Sequence, residues 1–327
     1  MRRALITGAA GFVGRWLARA LVDAGWDVTG AALEAPTRDA ILGDARDAVR
    51  WVTGDVRDGA HLREALDVAL PDAVFHLAGV TFVPAAGNDP GTTADVNVVA
   101  AARLLGLVRE RCRAGTLDPA VLVTGSAEQY GRHDAAELPL TETAEQWPHT
   151  VYAATKVAQE VLALEAWRSD GVRVVVTRSF NHSGPGQAEH FLLPALVRRA
   201  FALRGGPLVM GNQTPVRDFL HVSDVVAAYI SLAERGTAGE AYNVASGVGT
   251  SVGELARRIL ASAGVDAPIE SDPALVRAAD VPALVGDPAK LRAATGWSPR
   301  RTLDDLLDDL IAHHLSHHPT HHDATSD

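Results

Sequence analysis

A single cysteine, Cys112, in 327 residues excludes an internal disulfide framework and fits a reducing compartment. Basic runs are also missing. Acidic residues number 40 against 30 lysines and arginines, a formal net charge of −10, which argues against a general nucleic-acid binder. No stretch of about eighteen apolar residues occurs, so no membrane-spanning helix is expected. Met1-Arg2-Arg3 runs straight into an apolar strand and a glycine loop, unlike a secretory signal. No internal repeat is evident. The expectation is a soluble cytoplasmic protein, with neither nucleic acid nor membrane as partner. At 47% hydrophobic, the chain has ample material for one large domain or two unequal ones.

What is present is alternation of strands and helices. Ala4-Leu5-Ile6-Thr7 reads as a strand, and Gly8-Ala9-Ala10-Gly11-Phe12-Val13-Gly14 as a tight loop. A helix follows through Trp16, Leu17, Ala20 and Leu21, ended by Gly25. Strand, glycine loop and helix open a Rossmann unit, in which backbone approaches a pyrophosphate and a helix N-terminus attracts its charge. The spacing here is G-x-x-G-x-x-G. Residues 27–32 read as the second strand. Glu34, about twenty residues past Gly14, stands where a carboxylate would hold the adenosine ribose, or is a solvated loop residue. Arg38 comes later, on a loop, which favours NAD(H) slightly over NADP(H).

A third strand over 50–56 brings Asp55 and Val56 towards the adenine edge. A fourth over 73–79 ends in Leu77-Ala78-Gly79, with small residues where the cofactor's backbone should pass. His76 in that run reads as a packed core histidine. A long helix is expected from Thr92 to Arg111, containing Asn97, then strands over 120–124 and 172–177. Such alternation predicts an α/β fold, a doubly wound parallel sheet, with ligands beyond the carboxyl ends of its strands. Residues 1–180 read as the nucleotide-binding domain and 181–312 as a smaller α/β lobe, with segments near 217–246 able to return to the first. Paired histidines at 313–314, 317–318 and 321–322 could hold a metal on a helix. Pro319 and the polar ending instead favour a frayed tail over 313–327, so no metal site is expected.

Tyr152-Ala153-Ala154-Thr155-Lys156 opens an alanine-rich helical run, with Tyr152 and Lys156 on one face. A phenol ordinarily ionises near ~10, and a lysine cation one turn away should lower that value towards the working range. Ser126 and Glu128 follow the end of the fifth strand.

Thr7-Gly8-x-x-Gly11-x-x-Gly14, Asp55-Val56, His76-Leu77-Ala78, Ser126 and Tyr152-x-x-x-Lys156, in this order, resemble the extended short-chain dehydrogenase/reductase family. The resemblance runs over nearly the whole chain to about residue 310. Phe180-Asn181-His182-Ser183-Gly184-Pro185-Gly186-Gln187 and Arg217-Asp218-Phe219 are similar to the family's enzymes of GDP-mannose conversion to deoxysugars, in the reductase rather than the 4,6-dehydratase form. The resemblance implies a nucleotide-sugar substrate and hydride transfer from NAD(P)H to its C4 ketone. It implies Tyr152 as proton donor, Lys156 lowering its pKa and anchoring the nicotinamide ribose, and Ser126 bonding the reacting oxygen.

Glu128 would remove a C5 proton in a dehydratase, or orient the sugar in a reductase. Asn181, Arg217 and Arg277 are candidates for the diphosphate; a turn role for Asn181 and surface ion pairs for the arginines are the alternatives. A 4-epimerase retaining NAD, or a nucleotide-sensing scaffold, are the other classes of answer. The presence of both Tyr152 and Lys156 speaks against the scaffold. A homodimer is expected, through the long helix and the Tyr152 helix, with Val98, Leu104, Leu105, Val161 and Leu164 available.

Overall fold

The computed structural model describes residues 1–275 and 281–318. In chain order its strands are β1 (Arg3–Thr7), β2 (Asp27–Ala32), β3 (Arg50–Thr53), β4 (Ala73–His76), β5 (Ala120–Ser126), β6 (Val174–Ser179) and β7 (Asn181–Ser183). They continue with β8 (Leu208–Met210), β9 (Val216–His221), β10 (Glu240–Val244), β11 (Gly249–Ser251), β12 (Ile269–Ser271) and β13 (Ala283–Leu284). Seven of them form one sheet in the order β10-β6-β5-β4-β1-β2-β3. Every pairing in it is parallel.

The strand sequences explain why the sheet is buried on both sides. In β6, Val-Val-Val-Thr-Arg-Ser is buried at every position, as expected of a central parallel strand. Successive side chains point to opposite faces, and Leu5 and Ile6 accordingly enter different cores. Ile6, Phe75 and Leu122 pack beneath the helices Phe12–Asp23 and Val222–Arg235, with Leu17, Leu21, Val225 and Leu232. Leu5, Val74, Val121 and Val123 face Gly59–Ala69, Ala100–Arg113 and Val151–Asp170, with Leu62, Leu66, Leu104 and Ala163. Each such fully buried leucine contributes roughly 1.5–3 kcal/mol of transfer free energy.

The register aligns Thr7 with Ala31 and His76, and Ser126 with Ser179. The carboxyl ends of the strands therefore share one edge. Strand order reverses beside β1, between β2 and β4, and that switch point opens a crevice.

Several expected boundaries move. The third strand stops at Thr53, the fifth continues to Ser126, and the sixth runs from Val174 to Ser179. The long helical stretch spans Pro90–Arg113, with a π-helical segment at Asp95–Val99. By length and composition it could cross a membrane, yet Ala100, Leu104, Leu105 and Val108 are spent on the core. Leu104 and Leu105 are thus unavailable to a second subunit, whereas Val161 is exposed.

After β6 the chain builds a second group of elements. β9 pairs with β7, β11 and β13, and β8 pairs with β12. Helices Leu192–Ala202, Val252–Ser262 and Leu303–His317 enclose Leu193, Leu196, Leu255, Ile259, Leu306 and Leu310. The Val222–Arg235 helix and β10 lie with the large sheet. The tail expected to fray from 313 is helical to His317. Leu306, Leu307, Leu310 and Ile311 are buried along that helix and hold it down.

Candidate active site

One cleft of about 1390 Å³ lies along the carboxyl edge of the sheet. Its lining holds Gly8, Gly11, Phe12, Val13, Gly14, Glu34, Asp55, Val56, Leu77, Ala78 and Gly79. Ser126, Glu128, Tyr152, Lys156, Asn181 and Arg217 line the same space. Arg277 lies outside the described residues.

The glycine wall is determined by close approach. Gly8 has φ 73°, and a Cβ there would meet the Ala78 backbone nitrogen at 2.7 Å. A Cβ on Gly14 would sit 2.3 Å from the Gly8 carbonyl oxygen. Only glycine satisfies both conditions without moving backbone. Gly11 caps the Phe12–Asp23 helix with no side-chain bond, leaving the first-turn N–H groups for an anionic ligand. This small-residue cradle at a helix N-terminus fits a dinucleotide pyrophosphate. Asp55 is held below the usual carboxylate range by its Arg57 neighbour, whose Nε and Nη2 donate at 3.0 and 2.6 Å. Arg57 itself lines the cleft. Arg38 is committed to Asp44 and Asp47.

The catalytic candidates meet because β5 ends at Ser126 beside the Val151–Asp170 helix. Thr150 caps that helix, its hydroxyl oxygen accepting the Ala153 N–H at 3.1 Å. Tyr152 is 9% and Lys156 2% exposed. The Lys156 Nζ donates to the Thr124 carbonyl at 2.8 Å and to Gln159 Oε1 at 2.9 Å. Burial brings Lys156 down to about 8.

Tyr152 departs from expectation. Burial pushes its phenol up to about 12; the Ser126 interaction pulls it down, while the Glu128 and Tyr229 charges push it further up. Desolvation of the buried phenol dominates, so the net shift is upward instead of the lowering expected from Lys156. At neutral pH the Tyr152 phenol carries its proton.

Ser126 is positioned from behind. Its Oγ accepts the Glu128 N–H at 3.2 Å, and its N–H donates to Gln129 Oε1 at 2.7 Å. Gln129 Nε2 donates to Glu160 at 2.7 Å, and Glu160 accepts from Arg178 Nε and Nη2 at 3.0 and 2.6 Å. Burial alone would raise Glu160, but the Arg178 bonds outweigh it and keep the carboxylate ionised. Arg178 also donates to the Tyr130 hydroxyl at 2.9 Å. Reasoning from sequence missed this network; an arginine inside the β-branched run of β6 was its visible signal.

Asn97, in the π-helical segment, is fully buried. It accepts the Val80 N–H at 2.8 Å and donates to Thr155 Oγ1 at 2.9 Å, joining the loop after β4 to the Tyr152 helix. His76 is a core histidine: fully buried, with Nδ1 2.7 Å from Thr7 Oγ1, and kept neutral by burial, near about 3.

The opposite wall of the cleft is assembled from scattered side chains. Asn181 opens β7, so it is not merely a turn residue. Arg217 on β9 donates from Nη1 to the Val216 and Val281 carbonyls at 2.9 and 2.8 Å. Asp218 is fully buried and accepts from the Ser246 hydroxyl and N–H and the Gly247 N–H, at 2.6, 2.9 and 2.9 Å. Its role is therefore architectural. Arg199, Phe82, His190 and Phe191 also line this wall, the Phe82 and His190 rings 4.3 Å apart. No local motif announced them.

Residues 5–310 match the family described as GDP-mannose 4,6 dehydratase. The chain is 35% identical over 310 residues to a GDP-6-deoxy-D-mannose reductase of Pseudomonas aeruginosa, covering 94% of this chain and 95% of the relative. It is 29% identical to a UDP-glucose 4-epimerase of Neisseria gonorrhoeae, covering 93% and 94%. A solved structure, RMD from Pseudomonas aeruginosa complexed with NADPH, superposes with a TM-score of 0.79 at 32% identity, covering 96% of this chain and 99% of that one.

Proposed function

The chain belongs to the GDP-mannose 4,6-dehydratase family, a group of NAD(P)-dependent nucleotide-sugar enzymes, and from that premise we propose that it reduces the C4 ketone of a GDP-4-keto-6-deoxy-hexose. The observation that carries the reading is the meeting of Tyr152, Ser126 and Lys156 in one cleft with a dinucleotide cradle, the phenol pushed up by burial and so carrying the proton a reduction delivers. Reduction needs a proton donor at the start of the step, whereas oxidation by a dehydratase or epimerase first needs a base. The likeness to the Pseudomonas reductase supports the same direction.

Bound nicotinamide supplies the hydride to C4. Tyr152 gives its phenolic proton to O4, so the carbonyl carbon gains hydrogen as its oxygen becomes a hydroxyl. The Lys156 charge stabilises the phenolate left behind and would also hold the nicotinamide ribose. Ser126, fixed through Gln129, orients the sugar oxygen. Asn181 and Arg217 would take the diphosphate, where a guanidinium suits phosphate oxygens.

NADH is the proposed cofactor, because Glu34 lines the cleft just past β2 and Arg38 is taken by two aspartates. The NADPH complex of the Pseudomonas relative supports the opposite preference. A second reading, GDP-mannose 4,6-dehydratase, is favoured by Glu128, a carboxylate in the cleft whose charge is felt at Tyr152. A homodimer is proposed, with a mass of two chains expected by light scattering.

The enzymatic test is nicotinamide absorbance with GDP-4-keto-6-deoxy-mannose, run separately with NADH and NADPH. Oxidation coupled to product formation is expected, faster with NADH. No oxidation with either, together with water loss from GDP-mannose, would replace the reductase with the dehydratase.

A further inference from the structure

We propose that Glu189, His314 and His318 form a binding site for a divalent transition-metal ion of the zinc class, joining the loop after β7 to the C-terminal helix. One ligand atom from each residue lies within 4.8 Å of the others. The histidines are four residues apart at the end of the Leu303–His317 helix, so they share a face. Glu189 reaches them from a loop remote in sequence, its Oε1 3.3 Å from His318 Nε2.

Ligand chemistry and spacing agree. Two imidazoles and a carboxylate form a donor set used by zinc sites that keep an open position. Bonds of about 2.0–2.1 Å in tetrahedral array place neighbouring ligand atoms about 3.3 Å apart. The histidine–glutamate contact is already at that spacing, and the wider pairs close by rotation of side chains at the surface. The His314 ring stacks on Phe201, centroids 5.2 Å apart, which orients it. Arg198 lies 3.5 Å from the other oxygen of Glu189, leaving Oε1 for the metal.

The neighbouring histidine pair is differently engaged. His313 Nε2 accepts the Gly186 N–H at 3.2 Å, and His317 Nδ1 lies 2.9 Å from the His313 carbonyl oxygen. The loop is thus tied to this helix at Gly186, and the metal adds a second tie at Glu189. Between and beyond these points Gln187, His190 and Phe191 line the cleft. A metal here would fix the sugar-side wall from outside the reacting centre.

The test is calorimetric titration of the full chain with zinc chloride near neutral pH. Three variants accompany it: Glu189→Gln, His314→Ala, and the double variant His321→Ala/His322→Ala. One zinc per chain is expected in the wild type and in the double variant. Glu189→Gln and His314→Ala should each weaken binding at least ~10-fold, the scale of losing even an outer partner of a metal site. Unchanged melting temperatures in chelator would show that both still fold; if His314→Ala does not, Glu189→Gln decides alone. Wild-type affinity in Glu189→Gln, loss of zinc in the double variant, or no uptake by the wild type would each overturn the proposal.

Discussion

The two walls of the cleft are built on opposite principles. The cofactor side is made of backbone and small residues at adjoining strand ends, where Gly8 and Gly14 leave no room for a Cβ. The sugar side is made of long side chains from segments far apart in the chain, including Phe82, Asn181, His190, Arg199 and Arg217. One wall is shaped by sterics and tolerates nearly no change. The other presents replaceable groups on a stable frame, the arrangement that lets one fold host several sugar reactions. Between them stand Tyr152, Lys156 and Ser126, the serine braced through Gln129 by Glu160 and Arg178.

Changing the reacting group itself should have the largest effect. Tyr152→Phe is expected to lower kcat about 10²–10⁴-fold, the usual contribution of a positioned general acid, while cofactor titration by fluorescence stays near wild type. On the steric wall, Gly14→Ala should destabilise the fold by roughly 1–3 kcal/mol through overpacking and weaken cofactor binding, read by thermal melts and the same titration. A Gly14→Ala protein that bound cofactor normally would break the contrast between the walls.

A pH profile sharpens the account of the middle. Lys156 is brought down to about 8 and Tyr152 pushed up to about 12, so the lysine loses its charge first as pH rises. If the charged lysine is the active form, kcat/KM should be level below that point and fall roughly tenfold per pH unit above it. The smallest effect belongs to the sugar wall. Arg217→Lys keeps a charge but loses the fork, and should raise KM for the nucleotide sugar about tenfold with kcat nearly unchanged.

The same contrast governs what could be read from the sequence. Glycine spacing, Ser126 and the Tyr152–Lys156 pair are local patterns that, in their order along the chain, could be read directly. The Gln129–Glu160–Arg178 network joins residues 31 and 18 positions apart, a distance no local pattern bridges. Tyr152's raised pKa was equally hidden, because a turn of helix shows the lysine but not the desolvation that outweighs it. The tail expected to fray from 313 is helical to His317 for a different reason. Pro319 does bias the residue before it away from helix, but the buried Leu310 and Ile311 carry the helix close to that limit.

The most direct measurement is label transfer: the 4-keto sugar nucleotide is reduced with nicotinamide deuterated at its transferable position, and the product is examined by proton NMR. The account predicts one deuterium at sugar C4 for each nicotinamide oxidised, with none at C5 or C6. Deuterium absent from C4, or nicotinamide consumed without a C4 alcohol, would contradict it.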